Sequence, residues 1–386
     1  MSTAHRTPAR HGWALMTAAA VLAAVLPSVV VVVAPPAADA ARLLAAAVLP
    51  AVAPADEAQD FPFPGADTIA LHNGSDQYVT YGASAGGRKV PYAVSGSGDV
   101  VGTSPVVAGD ALPGGGGAWV ADGAGIWTPG AFYHVKDGVG RYYLFYTAIH
   151  RNDGDRRCIG VASSVNPFGG FRAEAQPIVC PDKGDRWALD ADVTTGPEGA
   201  IWMTWRDGQR AEGPESALSV MMLKFNADGT VDRNSDPVVI MRSDALAWAH
   251  YQQDGGVTVI ENPSALFHNG SWYLFYSGNS WPTNYYATGI AYCGAKIDDG
   301  LCSQLPGPNR AWFSYSGPQT HLPDSLRLYG LPGNKRGPGA MDVYRARDGK
   351  PWVTWNYLSD GGGRKSRVGR LVITGSGANA DFRVTL

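Results

Sequence analysis

One feature limits what this chain can fold into more than any other. A Gly-containing turn followed by an aromatic-rich strand recurs five times, at residues 72–84, 136–148, 196–208, 268–279 and 347–357. The copies include K-D-G-V-G-R-Y-Y-L-F-Y and H-N-G-S-W-Y-L-F-Y, whose Asp-Gly and Asn-Gly steps are hairpin signals. The strands mix aromatics with Val, Leu and Ile and show no 3.6-residue period, so each is expected to be a buried strand. Val79, Leu144, Met203, Leu274 and Val353 are equivalent, with separations of 65, 59, 71 and 79 residues. Each interval has room for about four short strands and their loops, the content of one propeller blade. The expected fold is therefore all-β, a five-bladed β-propeller forming one domain. A two-sheet sandwich would give no five-fold recurrence.

Composition agrees and excludes other classes. The 386 residues hold 49 Gly, 27 Pro, 12 Trp, 17 Tyr and 11 Phe, and only 17% are charged. A helical bundle or coiled coil has little use for so much Gly and Pro, and a disordered chain lacks aromatics. A net charge of −3 without a basic stripe gives no footprint for nucleic acid.

The first forty residues do not read as part of the fold. His5, Arg6, Arg10 and His11 precede an apolar run over 13–34, and Ala38-Asp39-Ala40 supplies an A-x-A site. This is the pattern of a secretory signal peptide over 1–40, with a membrane anchor as the competing reading. Residues 41–59 are Ala/Pro-rich and read as a linker or pro-segment, leaving 60–386 for the propeller. The expected location is extracellular, with no membrane partner once the signal is removed. The four cysteines fit export. They form two local pairs, Cys158 with Cys180 and Cys293 with Cys302, each expected to join neighbouring strands of a hairpin. No C-x-x-C occurs and no His clusters with them, which argues against zinc.

The strand before each repeated strand should line the central channel. Counting back 12 to 14 residues from the five equivalent positions gives Asp67, Gly130, Asp190, Glu261 and Ala340. Three of the five are acids, which the repeat would gather at one channel mouth. Such a cluster raises pKa values and adds nothing to stability, so it marks a candidate active site. Asp192 lies two residues beyond Asp190, on the same face of a strand, and competes with it for the third place.

At these residues the chain resembles glycoside hydrolase family 43, five-bladed propellers that degrade arabinan and xylan. The resemblance covers roughly residues 60–386. It rests on Ala66-Asp67-Thr68, Trp127-Thr128-Pro129, Leu189-Asp190-Ala191, Glu261-Asn262-Pro263 and Gly337-Pro338-Gly339, in that order. It implies that Asp67 is the general base, Glu261 the general acid, and Asp190 the group that tunes and orients Glu261. It also implies inversion at the anomeric carbon. Thr68 and Ala191 replace prolines of the family pattern. Gly130 stands where many members have Asp. Ala340 replaces the His that often holds a central metal ion, so no cofactor is required and a central calcium ion is left open but not expected.

Sugar sites use aromatic faces, which nominates Trp127, Trp205 with Arg206, and Trp281 as substrate contacts, against a packing role for each. The expected partner is a polysaccharide or oligosaccharide, and the expected state a monomer. A non-catalytic carbohydrate-binding propeller is the competing function. Gly82–Gly86 matches G-x-S-x-G, but the following segment is not helical, which argues against an esterase.

Overall fold

The computed structural model describes residues 59–61, 63–95, 107–182, 186–208, 216–251, 259–305, 307, 309–361 and 363–385. The segment read as a signal peptide and all but residue 59 of the expected linker lie outside them. The described chain forms five antiparallel-based sheets. The first blade runs through Asp67–Ala70, Tyr78–Tyr81, Pro91–Val94 and Val107–Asp110, and the second through Trp127–Lys136, Val139–His150, Asp153–Ser164 and Arg172–Ala173. The third begins with Leu189–Thr195, Ile201–Gly208 and Ser216–Phe225, and the fourth with Ile260–His268, Ser271–Gly278 and Ala287–Gly294. The fifth holds Arg336–Arg345, Pro351–Leu358 and Arg364–Thr374. The first strand of each blade touches the first strand of the next, and the fifth touches the first, so the ring closes. This is the expected five-bladed β-propeller. Among the described residues there is no α-helix, and no helix is long and apolar enough to cross a membrane.

The five repeated segments all supply the second strand of a blade. Their turns use the predicted chemistry. Asp137-Gly138 and Asn269-Gly270 have φ of 50° and 78°, and 48° and 78°, as a two-residue hairpin turn needs. The second strands are buried on both faces because each blade packs against two neighbours. Five apolar clusters result, one per junction. Tyr273 and Phe275 of the fourth blade meet Val353 and Trp355 of the fifth, for example, and Phe145 of the second meets Met203 and Trp205 of the third. Trp205, Trp272 and Trp355 are completely buried.

Both expected disulfides are present. Cys293–Cys302 spans the hairpin between Ala287–Gly294 and Ser303–Leu305, as expected. Cys158–Cys180 differs. Cys158 lies on the third strand of the second blade, but Cys180 lies on the crossover to the third blade, next to the Ile159–Val179 bridge.

The N-terminal strand Gln59–Phe61 does not belong to the first blade. It pairs with Ser366–Val368 on the fifth, so the two ends of the ring are joined in one sheet. Phe61 is buried there with Tyr78, Tyr344 and Val368. Phe61→Ala is expected to destabilise the fold by about 3–5 kcal/mol through lost burial and the cavity left behind. Urea unfolding checks this, and an unchanged midpoint would mean that this strand does not close the ring.

Candidate active site

Each inner strand sends three consecutive residues into the channel. The first ring is Gly65, Thr128, Asp190, Asn262 and Ala340, the second Ala66, Pro129, Ala191, Pro263 and Met341, and the third Asp67, Gly130, Asp192, Ser264 and Asp342. Every first-ring residue has a left-handed backbone, with φ between 33° and 60°. In blades two to five the ladder shifts register here, and the chain bulges toward the axis. A left-handed conformation costs a residue with a Cβ roughly 1–3 kcal/mol, and such strain collects at functional sites.

These rings correct the register read from sequence. Asp67 is in the third ring, Asp190 in the first, and Glu261 immediately precedes the first-ring residue Asn262. Gly130 belongs to the third ring and Ala340 to the first. The physical reason is hairpin length. The first-ring residues precede the repeated-strand positions by 14, 16, 13, 12 and 13 residues, so a constant count lands in different rings.

Glu261 and Asp190 form the upper acidic pair, with 9% and 8% of their surface exposed. The Thr128 hydroxyl donates to Asp190 Oδ1 at 2.6 Å, and the Asn262 N–H to Oδ2 at 3.2 Å. Tyr286 O–H donates to Glu261 Oε1 at 2.8 Å, while Arg206 Nη1 lies 3.8 Å from Oε2. Burial, and after it the charge of Asp190, pushes Glu261 up to about 7, with Arg206, Tyr286 and Arg364 pulling the other way. Asp190 is also raised, chiefly by burial, against Thr128, Arg206 and Asn262. A carboxyl near 7 holds a proton at neutral pH and can donate it, as a general acid must.

The other nominated residues divide. Trp205 lies in the core of the third blade and does not face the channel, so burial removes it as a direct substrate contact. Arg206 is 1% exposed and acts on Glu261. Trp127 is half-buried, with the Arg157 guanidinium 5.1 Å from its ring and 4.9 Å from the ring of Trp187. Trp281 is 56% exposed, and its carbonyl accepts from Arg364. Trp187, Tyr286 and Arg364 were not nominated by the sequence. Trp187 stands three residues before Asp190, but Tyr286 and Arg364 come from third-strand starts, where no repeat is visible.

The lower carboxylates form a second cluster. Asp67, Asp192 and Asp342 each place one oxygen within 4.8 Å of the others. They belong to a belt of inter-blade bonds, in which the Ala131 N–H donates to Asp67, Ala265 N–H to Asp192 at 3.2 Å, and Val343 N–H to Ser264 at 2.9 Å. Gly130 leaves a gap in this belt because a Cβ there would sit 2.2 Å from the Ala191 carbonyl. Burial pushes Asp67 up to about 7, and Asp192 and Asp342 are raised well above the usual range by burial and by neighbouring carboxylates. Three carboxylates are the hard oxygen donors a divalent cation takes, and Asp342 Oδ2 is buried with no hydrogen-bond partner among the described residues. A channel cation would thus be held by Asp67, Asp192 and Asp342, since Ala340 offers no ligand.

Because the folded-state pKa of Asp67 lies above the 3.8 of a free aspartate, the cluster carries no penalty at low pH, where these groups are protonated folded or unfolded. The penalty grows as pH rises from about 4 toward 7, as the unfolded chain ionises first. Asp342→Asn in EDTA is therefore expected to raise the melting temperature at pH 8, with the gain vanishing near pH 4. An equal change at both pH values would contradict this electrostatic account.

A sequence search of curated proteins returned no match. Among solved structures, the chain is similar to a thermostable family-43 glycoside hydrolase, with 19% identity over 85% of this chain and 97% of that one, and a TM-score of 0.61. It is similar to an endo-1,4-beta-xylanase from Bacteroides thetaiotaomicron, with 20% identity, 86% and 97% coverage and a TM-score of 0.58. It is also similar to the arabinanase Arb43A of Bacillus subtilis, with 18% identity, 82% and 96% coverage and a TM-score of 0.57. At these identities the likeness shows the fold. The family model described as glycosyl hydrolases family 43 matches residues 62–370, most of the chain, and the protein therefore belongs to glycoside hydrolase family 43.

Proposed function

We propose that this protein is a secreted glycoside hydrolase that cleaves arabinofuranosyl or xylosyl linkages of polysaccharides with inversion. The observation that carries this reading is Glu261, a buried carboxyl near 7 beside Asp190, with Tyr286 on one oxygen and Arg206 near the other. Glu261 gives its proton to the leaving oxygen as the glycosidic bond breaks. Asp67, when ionised, takes a proton from the attacking water, whose oxygen bonds to the anomeric carbon from the opposite face. Inversion calls for carboxyls about 6.5–9.5 Å apart, with room between them for that water. The offset of Asp67 to the third ring, below the level of Glu261, supports such a gap. Arabinan and xylan follow from the names of the similar structures. Secretion is supported by the leader pattern and by two disulfides.

A second reading, a carbohydrate-binding propeller without turnover, is favoured by one observation. The first-ring place of the first blade is held by Gly65, and Asp67 is tied to the Ala131 N–H and to Asp342 beside it in the third ring. Reducing-sugar release from arabinan and xylan, with products followed by NMR, decides between the two. Under the hydrolase reading, Glu261→Gln lowers kcat by about 10²–10⁴-fold on substrates with poor leaving groups, and Asp67→Asn abolishes release of the inverted product. Binding of the polymer without any release supports the second reading.

Trp281, exposed beside Arg364, offers its ring as a platform for a sugar. Trp281→Ala is expected to raise KM several-fold with kcat little changed, the signature of lost uniform binding. A loss confined to kcat would remove it from the substrate site.

A further inference from the structure

We infer that Tyr286 is a positioning residue that commits Oε1 of Glu261 and leaves Oε2 as the oxygen that carries and delivers the proton. This rests on the proposed hydrolase reading. A phenol has one proton to donate, and its oxygen accepts through its lone pairs. Asn262 Nδ2, a donor only, reaches the Tyr286 oxygen at 3.0 Å. That contact uses the acceptor side of the phenol and directs its one proton to Glu261 Oε1, 2.8 Å away. With Oε1 accepting, the carboxylic proton of Glu261 belongs on Oε2. Arg206 Nη1 stands 3.8 Å from Oε2, too far for a hydrogen bond but close enough to favour the carboxylate left after the proton departs.

The surroundings hold the phenol in one place. Its ring is 1% exposed, and the Arg364 guanidinium lies 4.8 Å from the ring centroid. Arg364 is itself anchored on the carbonyls of Trp281, Gly337 and Asn356. On the neighbouring blade the chain yields space. A Cβ on Gly339 would meet Tyr286 Cε1 at 2.3 Å, so the Gly-Pro-Gly segment of the fifth blade has a role in seating this ring. Asn262 is the first-ring residue next to Glu261, and its left-handed backbone, with φ of 49°, turns its N–H to Asp190 while its side chain serves Tyr286. One residue therefore links both members of the acidic pair to the phenol.

The test is Tyr286→Phe, which keeps the ring under Arg364 and removes only the hydroxyl. The titration midpoint of Glu261, read from its side-chain carboxyl carbon by NMR, is expected to rise by about one pH unit, because a hydrogen bond to the ionised form is lost. On aryl arabinofuranosides or xylosides, kcat is expected to fall about tenfold for poor leaving groups and little for dinitrophenyl, which needs no acid. A purely structural role would lower both alike. The wild type gives a measurement that needs no variant. The Tyr286 ring-carbon resonance should step with the midpoint of Glu261, and the step should vanish in Glu261→Gln. An unmoved Glu261 midpoint in Tyr286→Phe, or a Tyr286 resonance blind to Glu261, overturns the inference. Absence of hydrolysis by the wild type overturns the hydrolase reading, and both NMR measurements still test the bond.

Discussion

The apolar packing between neighbouring blades is the constraint on which the rest depends. Each junction buries the second strand of one blade against its neighbours, and five junctions bring five first strands to a common axis. Whatever those strands carry at their leading ends must share one narrow space. In this chain they carry acids. Withdrawal from water then raises Asp67 and Glu261 to about 7, and it is the largest cause acting on Asp190, Asp192 and Asp342 as well. The chemistry of the site is a consequence of how the blades pack, because like charges would not assemble here without the aromatic layers around them.

The axis holds two acidic groups with different surroundings. Glu261 and Asp190 sit among donors and cations, with Arg206, Tyr286, Thr128 and Asn262 around them. Asp67, Asp192 and Asp342 sit in the third ring, two below Asp190, among backbone N–H groups and one another. An acid needs a proton that can leave, which the Arg206 charge assists. In the proposed mechanism the base needs to ionise, which burial and the charge of Asp192 resist and a hydrogen bond from Asp342 assists. Under the proposed mechanism, the third ring thus sets whether Asp67 is ready to accept a proton.

Much of the architecture was legible along the chain. The hairpin turns at Asp137-Gly138 and Asn269-Gly270, the aromatic second strands and the local cysteine pairing could all be read, because each depends on residues close in sequence. Glu261 and Asp190 stood out through the motifs around them. The rings did not, because a fixed count cannot follow hairpins of unequal length. Trp205 looked like a sugar contact, since an aromatic on a repeated strand gives no sign of which blade will cover it. Cys180 looked like a hairpin partner, yet it lies on a crossover.

By itself the sequence determined the number of blades, the strands that fill their junctions and the set of acids available for chemistry, since periodicity and turn chemistry are local properties. Only the tertiary structure decided which acids meet. The bulged, left-handed start of the inner strands separates Asp67 from Asp190 by two rings, the folding of the fourth blade on itself brings Tyr286 to Glu261, and contact between the fifth and first blades brings Asp342 to Asp67. Those partners come from different strands or different blades, so their proximity arises only when each blade has folded and, for Asp67 with Asp342, when the ring closes.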